Sequence, residues 1–160
     1  MNTPEDVHLA PLDPADIPHL TRLMAATFDA DVPSFDEVSP ELLQCYYTDD
    51  LFQKWPPGCI DAERFSVAVG NTLVGAAVIW HYPDRTSVLG LLFVTPEYQG
   101  YGIGAYVWRF LEERCEDTAR WLVAAPGWSS NTQRFYRYTC GFTPVRSEGA
   151  YMILEKTIRR

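Results

Sequence analysis

Apolar positions along the chain switch between strand-like and helical periods, and the switches mark the elements. Residues 7–12 read as a first strand. Asp13-Pro14 then opens a helix, with Asp13 as its cap and Pro14 in the first helical position. Ile17, Leu20, Leu23, Met24 and Phe28 recur on one face of that helix. Residues 29–39 read as a loop. Ser39-Pro40-Glu41 starts a second helix through Leu42, Leu43, Tyr46 and Tyr47, and Trp55-Pro56-Pro57 breaks it. Residues 64–69 and 72–80 are predicted strands joined by the two-residue turn Gly70-Asn71. After Pro83-Asp84 the run 86–94 is a third, so these neighbours are expected to be antiparallel.

A helix is expected over residues 106–117, with Ile103, Val107, Phe110 and Leu111 on its buried face. The strand at 121–125 follows a helical crossover, so it is expected to run parallel to 86–94. Ser130-Asn131-Thr132-Gln133 fits a capping box, and the short helix it opens stops at Gly141. Residues 142–145 and 151–158 close the sheet as a hairpin around Ser147-Glu148-Gly149. The predicted fold class is α/β (α+β). It is a mixed, mostly antiparallel sheet of about seven strands with helices on both faces. The chain shows no repeat or linker, and a length of 160 residues suits one domain over 1–160.

Composition narrows the function. A content of 47% hydrophobic and 14% aromatic residues argues for a packed core over disorder. No apolar stretch reaches the eighteen or so residues a membrane span needs. The acidic start, Met1-Asn2-Thr3-Pro4-Glu5-Asp6, lacks the apolar region of a signal peptide. Cys45, Cys59, Cys115 and Cys140 are scattered and form neither a disulfide framework nor a metal-ligand pattern, so no metal is expected and the cytoplasm is the expected compartment. The net charge of −8 is concentrated early: residues 1–60 hold eleven acids and two bases, leaving the rest near neutral. That balance disfavours nucleic acid and suits either a cationic co-substrate or a solvated acidic surface.

The run from Pro96 to Ala105 carries the chemistry. A buried strand breaks into a loop with Gly100, Gly102 and Gly104 and then enters a helix. The first amides of such a helix lack internal partners, and glycine lets a phosphate approach them. Gly100-x-Gly102-x-x-Ala105 also satisfies a dinucleotide pattern, but the preceding strands are joined by tight turns and no acid follows the next strand to hold a ribose. No lysine follows the last glycine, which sets aside a P-loop.

The spacing Gln99-x-x-Gly102-x-Gly104 resembles the acyl-CoA pyrophosphate loop of the GNAT superfamily of N-acetyltransferases. Residues 92–98 are similar to the family's strand before that loop, and Phe135-Tyr136 followed by Gly141-Phe142 resembles its second landmark. The likeness covers nearly the whole chain. It implies acetyl-CoA as co-substrate. Leu92, Phe93 and Val94 would then flank the pantetheine arm, and Gln99, Gly100, Tyr101, Gly102, Ile103, Gly104 and Ala105 would surround the pyrophosphate. Asn131, Arg134 and Tyr136 would complete the cofactor site, with Arg137 as a further cation. Tyr101 stands where the family often carries Arg or Lys.

The resemblance also implies that Tyr136 is the general acid that protonates the leaving thiolate. Gly141 follows Tyr136 by five residues where the family has four, and Ser129 occupies the usual asparagine slot, so Tyr138 is a second candidate. The family's carboxylate base would fall near Val88; His81 is the candidate base here, beside Asp84. The implied reaction is direct transfer to a primary amine of a small, cationic molecule or peptide, without an acyl-enzyme. Asp29, Asp31, Asp36, Glu37, Tyr46, Tyr47, Asp49 and Asp50 would border the acceptor cleft. A homodimer is compatible with this reading, as is a non-catalytic acyl-CoA binding module of the same fold.

Overall fold

The computed structural model describes residues 6–31 and 48–158. Seven strands form one sheet: β1 (Val7–Pro11), β2 (Asp61–Val69), β3 (Thr72–Tyr82), β4 (Thr86–Val94), β5 (Arg120–Pro126), β6 (Thr143–Glu148) and β7 (Tyr151–Thr157). Their order is β1-β2-β3-β4-β5-β7-β6, and every pairing is antiparallel except β4 with β5. The helices are α1 (Ile17–Asp31), α2 (Asp50–Gln53), α3 (Ile103–Arg114) and α4 (Ser130–Arg134). A crossover through α3 is what permits the parallel pair. No described helix is long and apolar enough to cross a membrane.

Helices cover both faces of the sheet. On one, Val107, Trp108 and Leu111 of α3 pack on Val67, Ile79, Trp121 and Val123. Trp108 and Trp121 meet edge to face at 5.0 Å. The expected helix face packs on the core, with Trp108 buried beside it and Phe110 partly buried, edge-on to Phe65. On the other face, Leu20 and Met24 of α1 pack on Ala76, Val78, Trp80, Leu91 and Phe93.

Several boundaries differ from the sequence reading for local reasons. Asp13 caps a 3₁₀ turn, Pro14–Asp16, by accepting from the Ala15 amide, and α1 begins only at Ile17. The same helix runs on to Asp31, through positions expected to be loop. Gly102, at φ 79°, starts α3 at Ile103, three residues earlier than expected. The cap of α4 is Ser129, not Ser130: its Oγ accepts from the Thr132 amide at 3.3 Å. Gly149-Ala150 makes the last turn, which lengthens β6 to Glu148. The helix expected from Ser39 through Tyr47 lies outside the described residues.

A bulge in β4 builds the site. Leu89 pairs with Ile79 and Leu91 with Val78, so Gly90 has no partner in β3. The extra residue turns the strand over: Leu89 faces the α3 layer, and Leu91 and Phe93 face the α1 layer. Pairing of β4 with β5 stops at the same place, extending from Thr86 and Arg120 only to Leu89 and Val123. Beyond it the two strands part, and the middle of the sheet opens.

Candidate active site

A cavity of about 530 Å³ fills that opening. Leu89 and the part of β4 beyond it that has no β5 partner, residues 90–94, form one wall, and Val123, Ala124 and Pro126 of β5 form the facing wall. The glycine loop and first turn of α3 close one side. Asn131, Thr132, Phe135, Tyr136 and Thr139 line the cavity as well, as do Trp128 and the last turns of α1, the helix on the opposite face of the sheet from α3.

The loop offers backbone donors to the cavity. Tyr106 is the first α3 residue to bond within the helix, to the Gly102 carbonyl at 3.0 Å. The amides of Ile103, Gly104 and Ala105 therefore have no intrahelical acceptor, and no side chain caps them. They sit at the positive end of the helix dipole, a ready anion site. Gln99 ties the loop to the strand by donating from Nε2 to the Val94 carbonyl at 2.8 Å. A Cβ on Gly104 would lie 3.1 Å from the Phe135 ring, so glycine lets α3 approach the turn that follows α4.

Tyr136 is buried, its ring edge-on to Phe135 and Phe142 at 5.3 and 5.7 Å. It belongs to a π-helical turn, Phe135–Thr139, in which the Cys140 amide reaches back five residues to the Phe135 carbonyl. That turn absorbs the extra residue between Tyr136 and Gly141. Gly141, at φ 86°, then lets the Phe142 amide bond the Tyr136 carbonyl at 2.8 Å.

The cavity thus gathers Leu92, Phe93, Val94, Gln99, Gly100, Gly102, Ile103, Gly104, Ala105, Asn131 and Tyr136 from the expected set. Tyr101 and Arg134 are exposed and do not line it, and Tyr138 is 75% exposed, with Arg137 stacked on its ring. His81 is not brought to the cavity either. Its Nδ1 lies 2.8 Å from Ser87 Oγ and its Nε2 2.7 Å from Glu63 Oε2. Arg114 Nε donates to the other Glu63 oxygen at 2.8 Å, and Ser87 is bonded to Thr118. His81 pairs with Ser87 at the start of β4, the end opposite the bulge. Glu63, His81 and Cys115 do place an oxygen, a nitrogen and a sulfur within 4.8 Å of one another. Their mutual hydrogen bonds and the Arg114 cation already account for that closeness.

The model of the Acetyltransferase (GNAT) family matches residues 24–142, a stretch that runs from α1 past the glycine loop to Phe142. The chain belongs to the GNAT acetyltransferase family. The PaiA N-acetyltransferase of Thermoplasma acidophilum, solved with coenzyme A, has a similar fold, with a TM-score of 0.77 at 17% identity over 95% of this chain and 99% of that one. An acetyltransferase of Thermus thermophilus gives 0.72 at 19% identity, over 98% and 99%. The uncharacterized protein YrkN of Bacillus subtilis (strain 168) is 33% identical over 73 residues, 46% of this chain. The match spans only 40% of YrkN's length.

In this GNAT chain Asp31, expected at the acceptor cleft, does line the cavity, while its neighbours there were not foreseen. Thr27, Phe28, Ala30 and Asp31 line it from α1, facing Trp128. Phe28 and Trp128 meet edge to face at 5.5 Å. Ser129, in the family's asparagine slot, donates to Asp31 Oδ2 at 2.5 Å. Of the acids expected here, Asp49 accepts from Thr21 at 2.5 Å, and neither Asp49 nor Asp50 lines the cavity. Asp36, Glu37, Tyr46 and Tyr47 lie outside the described residues. Gly90 had a legible signal: a glycine inside an apolar strand marks a bulge.

Proposed function

We propose that the chain transfers an acetyl group from acetyl-CoA to a primary amine of a small cationic molecule or peptide end. The observation that carries this reading is one cavity shared by three features. These are the capless α3 amides, the unpaired edge of β4 and the buried Tyr136. The pyrophosphate would rest on the amides, with Gly100 and Gly102 keeping side chains away. The pantetheine amides would bond the β4 edge as a further strand would. The coenzyme A complex of the similar Thermoplasma protein supports this placement.

Transfer would be direct. The neutral amine attacks the thioester carbonyl, a C–N bond forms, and the C–S bond breaks. Tyr136 gives its phenolic proton to the departing thiolate. The amine's own proton leaves through the open cleft to solvent, since no histidine lines the cavity among the described residues. Burial pushes the Cys115 thiol up to about 12, with Glu63 adding to the effect, and burial likewise pushes Cys140 up to about 12. Both stay protonated at neutral pH and are poor nucleophiles, which supports transfer without an acyl-enzyme.

Thioester consumption by the whole chain, measured with cationic, neutral and acidic amines, tests the reading. Turnover should favour cationic acceptors and weaken with salt, because the Debye length is only about 8 Å at physiological ionic strength. Coenzyme A binding without turnover of any amine would favour a non-catalytic acyl-CoA module instead. A preference for anionic acceptors would reduce the acidic half to a solvated surface.

A further inference from the structure

The two faces of the sheet bring opposite charge to the cavity. At one, the N-terminus of α3 presents amides and the positive end of its dipole. At the other, α1 ends on Asp31, which lines the cavity, with no basic residue in its last turn. Carboxylates at a helix C-terminus face the negative end of the dipole, so the placement is unfavourable without a cation. Asp31 has no ion-pair partner among the described residues. It is nonetheless held in place. Ser129, 1% exposed, donates its hydroxyl proton to Oδ2, and Thr132 Oγ1 lies 2.7 Å from the same Ser129 oxygen. Neither hydroxyl brings charge, so the carboxylate keeps its full attraction for one. The aromatic pair Phe28 and Trp128 also lines the cavity. Aromatic faces also attract cations.

The reacting nitrogen must be neutral when it attacks. A carboxylate that paired with its ammonium form without removing the proton would oppose the reaction. We infer that Asp31 anchors a second, non-reacting cationic centre of the acceptor, so that the substrate class is a primary amine carrying another positive charge. The inference rests on the acetyl-transfer reading above.

Calorimetry on the full chain saturated with coenzyme A tests it, with 1,5-diaminopentane and pentylamine as probes. Asp31→Asn keeps an acceptor for Ser129 and removes the charge. Diamine affinity should fall by about tenfold or more, and pentylamine affinity should change by less than about twofold. Coenzyme A affinity, unchanged in the variant, shows that the fold is kept. A second measurement needs no variant: between about 0.05 and 0.5 M salt, wild-type binding of the diamine should weaken far more than that of pentylamine. Equal losses for both probes, diamine binding indifferent to Asp31→Asn, or a wild-type complex that ignores the diamine would each overturn the inference. Failure to bind coenzyme A would instead overturn the function proposed above.

Discussion

Gly90 and Trp80 share one space across the β3–β4 pairing: a Cβ on residue 90 would lie 2.7 Å from the Trp80 ring. The contact locks the bulge. Trp80 is buried against the α1 layer, so its ring cannot swing away without disturbing Leu91 and Phe93 beside it. The bulge in turn sets where β4 leaves β5. Sequence, packing and the open cavity therefore meet at one missing methyl group.

Gly90→Ala should cost about 1–3 kcal/mol of stability, the usual penalty for overpacking a filled core. Coenzyme A affinity should fall with it, because the unpaired β4 edge shifts. Denaturant titration and calorimetry read the two effects. A variant as stable as wild type, with unchanged affinity, would show that the bulge does not depend on this contact.

The glycine loop allows charge to be separated from backbone strain. Asn and Asp both tolerate the left-handed conformation that Gly102 adopts at φ 79°. Gly102→Asn should lose a little coenzyme A affinity, and Gly102→Asp should bind at least about tenfold more weakly than Gly102→Asn, or about 1.4 kcal/mol. Equal affinities in the two folded variants would exclude a phosphate at this loop.

Tyr136→Phe removes only the hydroxyl, and the edge-on contacts with Phe135 and Phe142 hold the ring in place. If Tyr136 supplies the proton to the thiolate, kcat should fall by roughly 10²-fold while coenzyme A affinity changes little. Turnover at the wild-type rate would exclude the role. Tyr138 is a poor substitute, since it stands 75% exposed outside the cavity wall.

Much of this was legible in the chain. Alternation and tight turns marked the antiparallel strands, and the glycine spacing marked the loop whose uncapped amides line the cavity. The extra residue after Tyr136 was visible as a spacing fault, and the π turn is its physical form. What stayed hidden has a common cause. Residues 88–94 are apolar on both faces, so the turning over of the strand leaves no break in its period and only the glycine at position 90 marks it. Ser129 and Ser130 are equally good caps by type, and only the fold chooses between them. Asp31 and Ser129 lie 98 residues apart, and Glu63 and His81 lie 18 apart, so neither pair can be read from one chain.

The Glu63 cluster has its own pH signature. Burial alone would raise the Glu63 carboxyl, but hydrogen bonds from His81 and Arg114 outweigh it and hold the group below its usual 4.5. A carboxyl depressed in the folded state stabilises the fold fully above its unfolded value and loses that stabilisation as pH falls through the lower, folded one. Wild type should therefore melt above Glu63→Gln near neutrality, and the gap should close as pH drops below 4.5. A gap that is constant or widens with acid would contradict the assignment. His81→Asn completes the test. With its ring occupied by Ser87 and Glu63 outside the cavity, it should lose stability and keep kcat. Lost turnover at retained stability would return His81 to the role of the base.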